Sequence, residues 1–398
     1  MKQRMSSQGK ISASPVHGSV AMKTIVMAWS IMLAPTWGFA QSLEEALQEA
    51  ISNLPRPKTV ADFEPVRHLT PLNQDSTLIC WSFSTSSFLE SEMERLGMDS
   101  VRLSVVYPVY FAFVEKAKRY IKTRGSSRFS PGDLFTGVLD IAHQYGAIPA
   151  ETYGNKVEGS KIFNHIVLYR DLSRLMERVK TQGLWNEKNV IPQVRRILDR
   201  HLGSPPNRFT WKGKSYTPQT FLKEIVRLPW DSYVLVTSFQ YAPFGQRTEL
   251  RVPDNWRHND QYINMPLEVF YNSLKDALQA GYSVALDADI SEPSYERTKR
   301  YAFIPPYDIP AQAITQEARE FRFISGATTD DHLLHAVDYR SFGGEDWFLV
   351  KDSWRTAWEP GSPRGYMFFH GSYVKLKVLA YLVHREGVPG VMQAMEKP

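Results

Sequence analysis

The stretch from Asn73 to Leu96 reads NQDSTLICWSFSTSSFLESEMERL and contains Cys80, the only cysteine of the 398-residue chain. The apolar residues that follow Cys80 recur near helical spacing, and the pattern stops at Gly97, a residue type that often ends helices. The spacing therefore predicts a helix with Cys80 in its first turn. The dipole and unpaired amides of a helix N-terminus favour a thiolate over a thiol, so the stretch predicts a nucleophilic cysteine.

Cys80 has a second interpretation. A chain with one cysteine cannot form an internal disulfide, so this thiol is either inert within a core or used chemically. Buried structural cysteines are common, which favours the inert alternative when the residue is considered alone. Gln74, a short distance upstream, is an amide donor that could reach a developing oxyanion or could merely tie a loop.

Composition indicates a folded globular protein, with 43% hydrophobic and 22% charged residues. The formal net charge is +5, but the first forty residues hold four basic side chains and no acidic one. Without those four charges the remainder carries only +1, which gives no electrostatic reason to expect a nucleic-acid partner.

Residues 1–40 have the layout of an N-terminal extension with a secretory signal peptide. Lys23 precedes the apolar run 24–33, and the small-residue exit at 38–40 predicts cleavage before Gln41. A membrane anchor is the alternative, but the run is short and is followed by Pro35. We therefore expect an exported protein, periplasmic or secreted, with no stable membrane insertion after cleavage. Met22 resembles a conventional signal start, so whether residues 1–21 are translated stays open.

Helical periodicity dominates the first half of the chain, and short β-prone runs dominate the end. The predicted helices cover 42–54, 103–120, 130–145, 162–180, 190–202 and 267–280; the predicted strands cover 284–288, 332–339, 347–351, 366–369 and 378–383, with a hairpin at 209–214. Helices first and strands later predict an α+β fold whose two halves pack face to face.

A cysteine nucleophile needs a base and a group that orients the base. His332 opens one predicted strand and Asp352 ends the next, so neighbouring strands could place the carboxylate behind the imidazole, with Trp354 shielding the pair from water. His332 and His335 could instead suggest a metal site. Their spacing directs them to opposite faces of a strand, so we predict neither a metal nor a cofactor.

The segments Asn73–Gln74 through Cys80–Ser84, Asp331–His332 and Ser353–Trp354 together resemble the papain superfamily of cysteine peptidases, in the same chain order. The bleomycin hydrolase and aminopeptidase C branch is the most similar, across most of residues 66–390. The resemblance implies a two-lobed fold with a helical half and an antiparallel, barrel-like half. It also implies one peptidase domain over 41–398 with a helical insertion at about 155–262.

The resemblance assigns a role to each site residue. It implies Cys80 as nucleophile, His332 as general base and then acid, and Gln74 with the Cys80 amide as oxyanion hole. Asp352 stands where the family has an orienting asparagine. Leu78-Ile79 replaces a glycine beside a small residue, which predicts a narrower cleft near the scissile bond.

The branch implies peptide or protein substrates, with aminopeptidase action on short peptides because its C-terminal tail enters the cleft. Endopeptidase action stays open, since the position of residues 388–398 cannot be predicted from sequence. Members of this branch are often hexameric, so a homo-oligomer is also open. The replacements at Asp352, Leu78 and Ile79 keep a third alternative, a catalytically silent papain-fold binding protein.

Overall fold

The computed structural model describes residues 35–154 and 164–396. Contacts divide the chain between Ala46 and Leu47. Of the first unit only the start of one helix is described, and the predicted signal segment 1–34 lies outside the described residues. The second unit holds the fold considered below. None of the described helices combines the length and apolar character needed to cross a bilayer.

Twelve α-helices occur in the described residues. They are α1 (Pro35–Ser52), α2 (Cys80–Arg95), α3 (Val106–Lys122), α4 (Thr136–Tyr145), α5 (Ile166–Thr181), α6 (Glu187–Leu202), α7 (Pro218–Phe221), α8 (Leu267–Gln279), α9 (Pro293–Thr298), α10 (Gln316–Ile324), α11 (Gly371–Lys377) and α12 (Pro389–Glu396). The predicted helix that starts at Cys80 is confirmed as α2.

Eleven strands accompany these helices. They are β1 (Phe209–Trp211), β2 (Lys214–Tyr216), β3 (Tyr233–Thr237), β4 (Gln246–Thr248), β5 (Tyr262–Asn264), β6 (Val284–Ala288), β7 (Tyr301–Ala302), β8 (His332–Phe342), β9 (Glu345–Lys351), β10 (Tyr366–His370) and β11 (Val378–His384). β1 and β2 form the predicted hairpin. The other nine form one mixed sheet in the order β4-β5-β3-β11-β6-β8-β9-β10-β7.

The predicted barrel-like half is not confirmed. The nine-stranded sheet is open within the described residues, because its edge strands β4 and β7 each pair on one side only. The α+β class itself is confirmed. The proposed boundaries of the insertion stay a prediction, although β3 and β4 from that part of the chain join the central sheet.

Two hydrophobic clusters cover the two faces of the sheet. The register of β11 shifts between Val378 and Ala380, and beyond this irregularity Ala380 and Leu382 point into one cluster, which also contains the buried apolar residues of α2, α3, α5 and α6. Val378 and Tyr381 point into the other, which is completed by α8, α11 and the start of α12. The sheet therefore separates a face covered by α2 from a face covered by α8.

One helix starts later than its sequence pattern predicts. The predicted start at Ser130 is wrong, because the backbone of 130–132 is used for tertiary contacts. Lys116 Nζ donates hydrogen bonds to the carbonyls of Ser130 and Gly132, and α4 begins only at Thr136. The predicted stop is confirmed at Gly146, whose φ of 90° favours glycine.

Candidate active site

Cys80 is the first residue of α2 and is partly exposed. Buried contacts fix this end of the helix. Trp81 Nε1 donates to the carbonyl of Pro131 at 3.0 Å, and Ser82 Oγ donates to the carbonyl of Val105 at 2.6 Å. The sulfur is thus held at a helix N-terminus, where the backbone amides favour negative charge.

His332 begins β8 on the sheet that α2 covers. Its Nε2 lies 2.8 Å from Asp352 Oδ1, and both side chains are almost completely buried. The imidazole is also close enough to Cys80 to hydrogen-bond with its sulfur. The structure therefore brings three of the four predicted site residues into one chain of contacts, from thiol through imidazole to carboxylate.

Asp352 is held by more donors than the sequence predicts. The backbone N–H of Trp354 donates to Oδ1 at 2.7 Å, and the hydroxyl of Tyr295 donates to Oδ2. The indole of Trp354 also lies edge-on to His332, with ring centroids 6.0 Å apart. Both carboxylate oxygens are satisfied, so the side chain cannot easily rotate away from the imidazole.

The charges around His332 decide its protonation. Burial lowers its pKa, but the Cys80 sulfur and the hydrogen-bonded Asp352 carboxylate outweigh burial and raise the pKa to about 10. The imidazole is therefore protonated at neutral pH. An imidazolium beside the sulfur is the arrangement that a thiolate nucleophile requires.

Gln74 is placed by the loop that follows Asp352. Its backbone N–H donates to the carbonyl of Ser353 at 2.9 Å, and its Oε1 accepts a hydrogen bond from Ser353 Oγ at 3.0 Å. Because the amide oxygen is the acceptor in that contact, the amide nitrogen remains as the donor. The fourth predicted residue is thus tied to the same strand end as the carboxylate.

Leu78 and Ile79, the two bulky residues before Cys80, differ in their exposure to solvent. Ile79 is fully buried in the cluster under α2, whereas Leu78 is 46% exposed. Leu78 also has a φ of 53°, in the left-handed region that costs a non-glycine residue roughly 1–2 kcal/mol. A glycine would adopt this φ without that cost, and the narrower cleft predicted from Leu78 and Ile79 stays a prediction.

Two tyrosines that support the site were not found by the sequence analysis. Tyr295 contacts Asp352 across 57 positions, and Tyr169 donates to the carbonyl of Thr77, in the loop before the cysteine. Neither lies in a motif, so no local signal could have identified them. Tyr295 is fully buried and Tyr169 is partly buried, and the loss of water around each phenol raises its pKa and keeps it protonated as a donor.

Comparison with known proteins identifies the family. The sequence profile of the Peptidase C1-like family matches residues 64–397. The chain belongs to this family. It is a papain-like cysteine peptidase. It is 21% identical to aminopeptidase C of Streptococcus thermophilus, covering 71% of this chain and 73% of that protein, and 21% identical to bleomycin hydrolase of Gallus gallus, covering 96% of each.

The fold of the peptidase is also found in a solved structure. PepW from Lactobacillus rhamnosis HN001 superposes with a TM-score of 0.64 and 18% identity, covering 93% of this chain and 96% of that chain. The predicted resemblance to the papain superfamily, and to the aminopeptidase C and bleomycin hydrolase branch, is confirmed.

The C-terminal segment of this peptidase packs on the face of the sheet opposite α2. Val388 and Val391 are buried in the cluster around α8, and Met392 and Met395 pack against it. The described part of the tail, up to Glu396, therefore packs on the face of the sheet that α8 covers.

Proposed function

We propose that this peptidase removes N-terminal residues from short peptides with Cys80 as nucleophile, His332 as base and acid, Asp352 as orienting group and Gln74 as oxyanion donor. The observation that supports it best is the 2.8 Å contact of His332 Nε2 with Asp352 Oδ1, on an imidazole that also reaches the Cys80 sulfur. Similarity to a protein named aminopeptidase C supports the exopeptidase part.

The first half of the reaction forms an acyl-enzyme. The Cys80 thiolate attacks the peptide carbonyl, and the carbonyl electrons move onto oxygen. The amide nitrogen of Gln74 and the backbone N–H of Cys80 donate to that oxyanion. The imidazolium of His332 then gives its proton to the departing amine as the C–N bond breaks.

The second half returns the enzyme to its starting state. Neutral His332 takes a proton from water, whose oxygen attacks the thioester carbonyl. The tetrahedral intermediate collapses with release of the carboxylic acid, and the Cys80 thiolate and His332 imidazolium are restored. Asp352 keeps the imidazole oriented, with Nε2 toward the carboxylate, and stabilises its positive charge throughout.

Endopeptidase action is the second candidate, because the described tail packs against α8 and leaves the source of N-terminal selectivity unassigned. Wild type and Cys80→Ala should be compared on matched peptides with free and acetylated N-termini. Cleavage of free peptides alone supports the aminopeptidase, and cleavage of both supports the endopeptidase. If neither protein cleaves and an alkylating reagent labels Cys80 no faster than a free thiol, the proposal fails and a silent binding protein is favoured.

The role of Asp352 predicts a change in pH dependence for Asp352→Asn. The asparagine keeps a hydrogen-bond acceptor for His332 but removes a charge that raises the imidazole pKa. The imidazolium is lost as pH rises through that pKa. The alkaline limb of kcat/KM should therefore move to lower pH while much of the neutral rate is kept, and an unchanged limb would contradict the assigned role.

Export and assembly complete the proposal. The layout of residues 1–40 supports a cleaved signal and a periplasmic or secreted enzyme. N-terminal sequencing of the exported protein should give Gln41 as the first residue. Formation of a homo-oligomer rests on the family resemblance, and light scattering of the purified protein tests it.

A further inference from the structure

An exposed leucine lies two residues before the nucleophile. Leu78 is 46% exposed, and its φ of 53° falls in the left-handed region. Eight non-glycine residues of the described chain have such a φ, and Leu78 is the only apolar one among them. A glycine would avoid the backbone strain, and a polar residue would avoid the exposed apolar surface. Neither the backbone nor the core therefore requires a leucine at this position.

The first turn of α5 lies against the loop that carries Leu78. The backbone N–H of His165 donates to the carbonyl of Ser76 at 3.1 Å. One turn further along α5, the hydroxyl of Tyr169 donates to the carbonyl of Thr77. These two hydrogen bonds hold the start of α5 beside the residues that come directly before Leu78.

Ile166 is an exposed apolar residue on the side of α5 that meets this loop. It is 58% exposed and lies three positions before Tyr169, which places it roughly 60° away from the tyrosine around the helix. Val167 is also exposed, but it lies roughly 160° away from Tyr169. Ile166 therefore lies beside the loop and forms an apolar pair with Leu78, whereas Val167 lies on the far side of α5.

The apolar pair lies on the acyl side of the site, the side that holds the residue whose carbonyl is attacked. The Cα atoms of Leu78 and Cys80 are at most about 7 Å apart. The loop starts at Gln74, which is hydrogen-bonded to Ser353 just beyond β9, and it lies against α5 where it reaches Leu78. His332, the proton donor to the leaving amine, contacts the same end of β9. The leaving amine therefore lies toward β9, and the acyl part of the substrate lies toward α5.

We propose that Leu78 and Ile166 bind the side chain of the residue that forms the acyl-enzyme, and that this residue is large and apolar, such as leucine or methionine. The Cβ of that residue lies only about 2.5 Å from the carbonyl carbon that the sulfur attacks, so its side chain reaches the surface beside Cys80. Contact removes apolar surface of the substrate and of the pair from water. The inference rests on the proposed function, and in an aminopeptidase this residue is the N-terminal one.

Exclusion of large side chains is the alternative role for Leu78. A leucine that filled the cleft would be packed against its far wall, whereas nearly half of Leu78 is accessible to solvent. Exclusion would also need no second apolar residue, yet Ile166 adds exposed apolar surface on the neighbouring helix. Both observations favour contact with an apolar side chain of the substrate.

Hydrolysis of three tripeptide amides tests the inference. They are trialanine amide and its two variants with leucine at the first or the second position, all with a free N-terminus. The measurement is kcat/KM for release of the first residue, with the products identified by mass spectrometry. We expect leucine at the first position to raise kcat/KM at least about tenfold, and leucine at the second position to change it less than about threefold.

Leu78→Asn and Ile166→Ser each remove one contact. Asparagine tolerates a left-handed φ, and serine is tolerated in the first turn of a helix. Each substitution should reduce the preference for leucine at the first position to less than about threefold. The matched controls are Leu96→Asn, just after the other end of α2, and Val167→Ser. Each control removes an exposed apolar side chain and should keep the preference.

Several outcomes would overturn the inference. Equal values of kcat/KM for leucine and alanine at the first position would do so, and faster release of alanine would assign Leu78 to exclusion. A larger effect of leucine at the second position would place the pair on the leaving side. A preference that survives Leu78→Asn and Ile166→Ser, or is lost in both controls, would also contradict it. Circular dichroism must show that each variant is folded, and if Leu78→Asn is not, Ile166→Ser carries the test.

Failure of the inference can be separated from failure of the proposed function. Calorimetry on Cys80→Ala protein compares binding of the same three peptides without turnover. Tighter binding of the peptide with leucine at its first position that depends on Leu78, in a protein whose wild type cleaves nothing, supports the apolar site and contradicts the peptidase mechanism. Cleavage of all three peptides with equal kcat/KM contradicts the apolar site and supports the peptidase.

Discussion

Asp352, directly after β9, and Asp287, on β6 of the same sheet, are both buried aspartates, yet their surroundings are opposite. Asp352 accepts hydrogen bonds from His332, Trp354 and Tyr295, so both its oxygens are satisfied. Asp287 accepts none from the N–H and hydroxyl groups of the described residues. Burial alone therefore says little about a carboxylate. The donors around it separate a carboxylate that is fixed in place from a carboxyl that has no N–H or hydroxyl donor.

The largest expected effect comes from removing the satisfied carboxylate. Asp352→Ala leaves the imidazolium of His332 and two other donors without an acceptor, which should cost about 3–5 kcal/mol of the free energy of unfolding. The rate should fall at least about 100-fold, because His332 loses its orientation. Asp287→Asn, the matched variant, removes a carboxyl whose pKa burial and the charge of Asp330 raise, so it should leave stability unchanged or increase it. If the two variants lose the same free energy of unfolding in urea, the proposed contrast between Asp352 and Asp287 is wrong.

The next effect concerns the pH dependence of stability. Burial and the charge of Asp254 raise the pKa of Asp330 to about 7, despite its hydrogen bond to Asp287. For a carboxyl with a raised folded-state pKa, the stabilising contribution is complete below the unfolded pKa and is lost as pH rises toward 7.

Asp330→Asn should therefore gain stability relative to wild type between pH 4 and 7, by on the order of a few kcal/mol. Urea unfolding at several pH values measures the difference. A constant difference across this range would contradict a raised pKa at Asp330.

A smaller effect is expected from Tyr295→Phe. The substitution removes the donor to Asp352 Oδ2 and leaves that buried oxygen unsatisfied. The free energy of unfolding should fall by about 1–3 kcal/mol. Tyr373→Phe is a control of the same chemistry, since its hydroxyl donates to the backbone carbonyl of Asp289. Only Tyr295→Phe should alter the pH profile of peptide cleavage. If Tyr373→Phe alters the profile in the same way, Tyr295 has no specific role in holding Asp352.

The smallest expected effect is that of Tyr262→Phe. Its hydroxyl has no partner within the described residues, so stability should be unchanged or should rise by up to about 1 kcal/mol. A loss comparable to that of Tyr295→Phe would show that the hydroxyl is satisfied in solution. The contrast between the two tyrosines would then disappear.

The helix at Cys80 and the strands of His332 and Asp352 were predictable because each follows a local pattern. Cys80 opens an apolar periodicity, and the two strands are β-prone runs separated by a turn. The helix predicted to start at Ser130 failed because a buried lysine takes its carbonyls, which no local pattern records. The open sheet was missed because strand order depends on long-range pairing.

The positions of Asp287, Asp330 and the supporting tyrosines could not be predicted for the same reason. Asp287 and Asp330 come from separate segments, and the long-range pairing of β6 with β8 is not visible in any local sequence pattern. One signal was present in the sequence. Asp287 interrupts the buried run Val284–Ala288, and a charged residue in such a run needs a hydrogen-bond donor or an ion-pair partner.

The single cysteine gives this enzyme an internal standard. Because Cys80 is the only sulfhydryl in the chain and is partly exposed, each molecule can incorporate one equivalent of a maleimide or iodoacetamide reagent. The fraction of intact protein that gains this mass more rapidly than a free thiol does therefore counts the competent molecules. Turnover numbers of every variant that retains Cys80 can then be corrected for inactive material in the same sample.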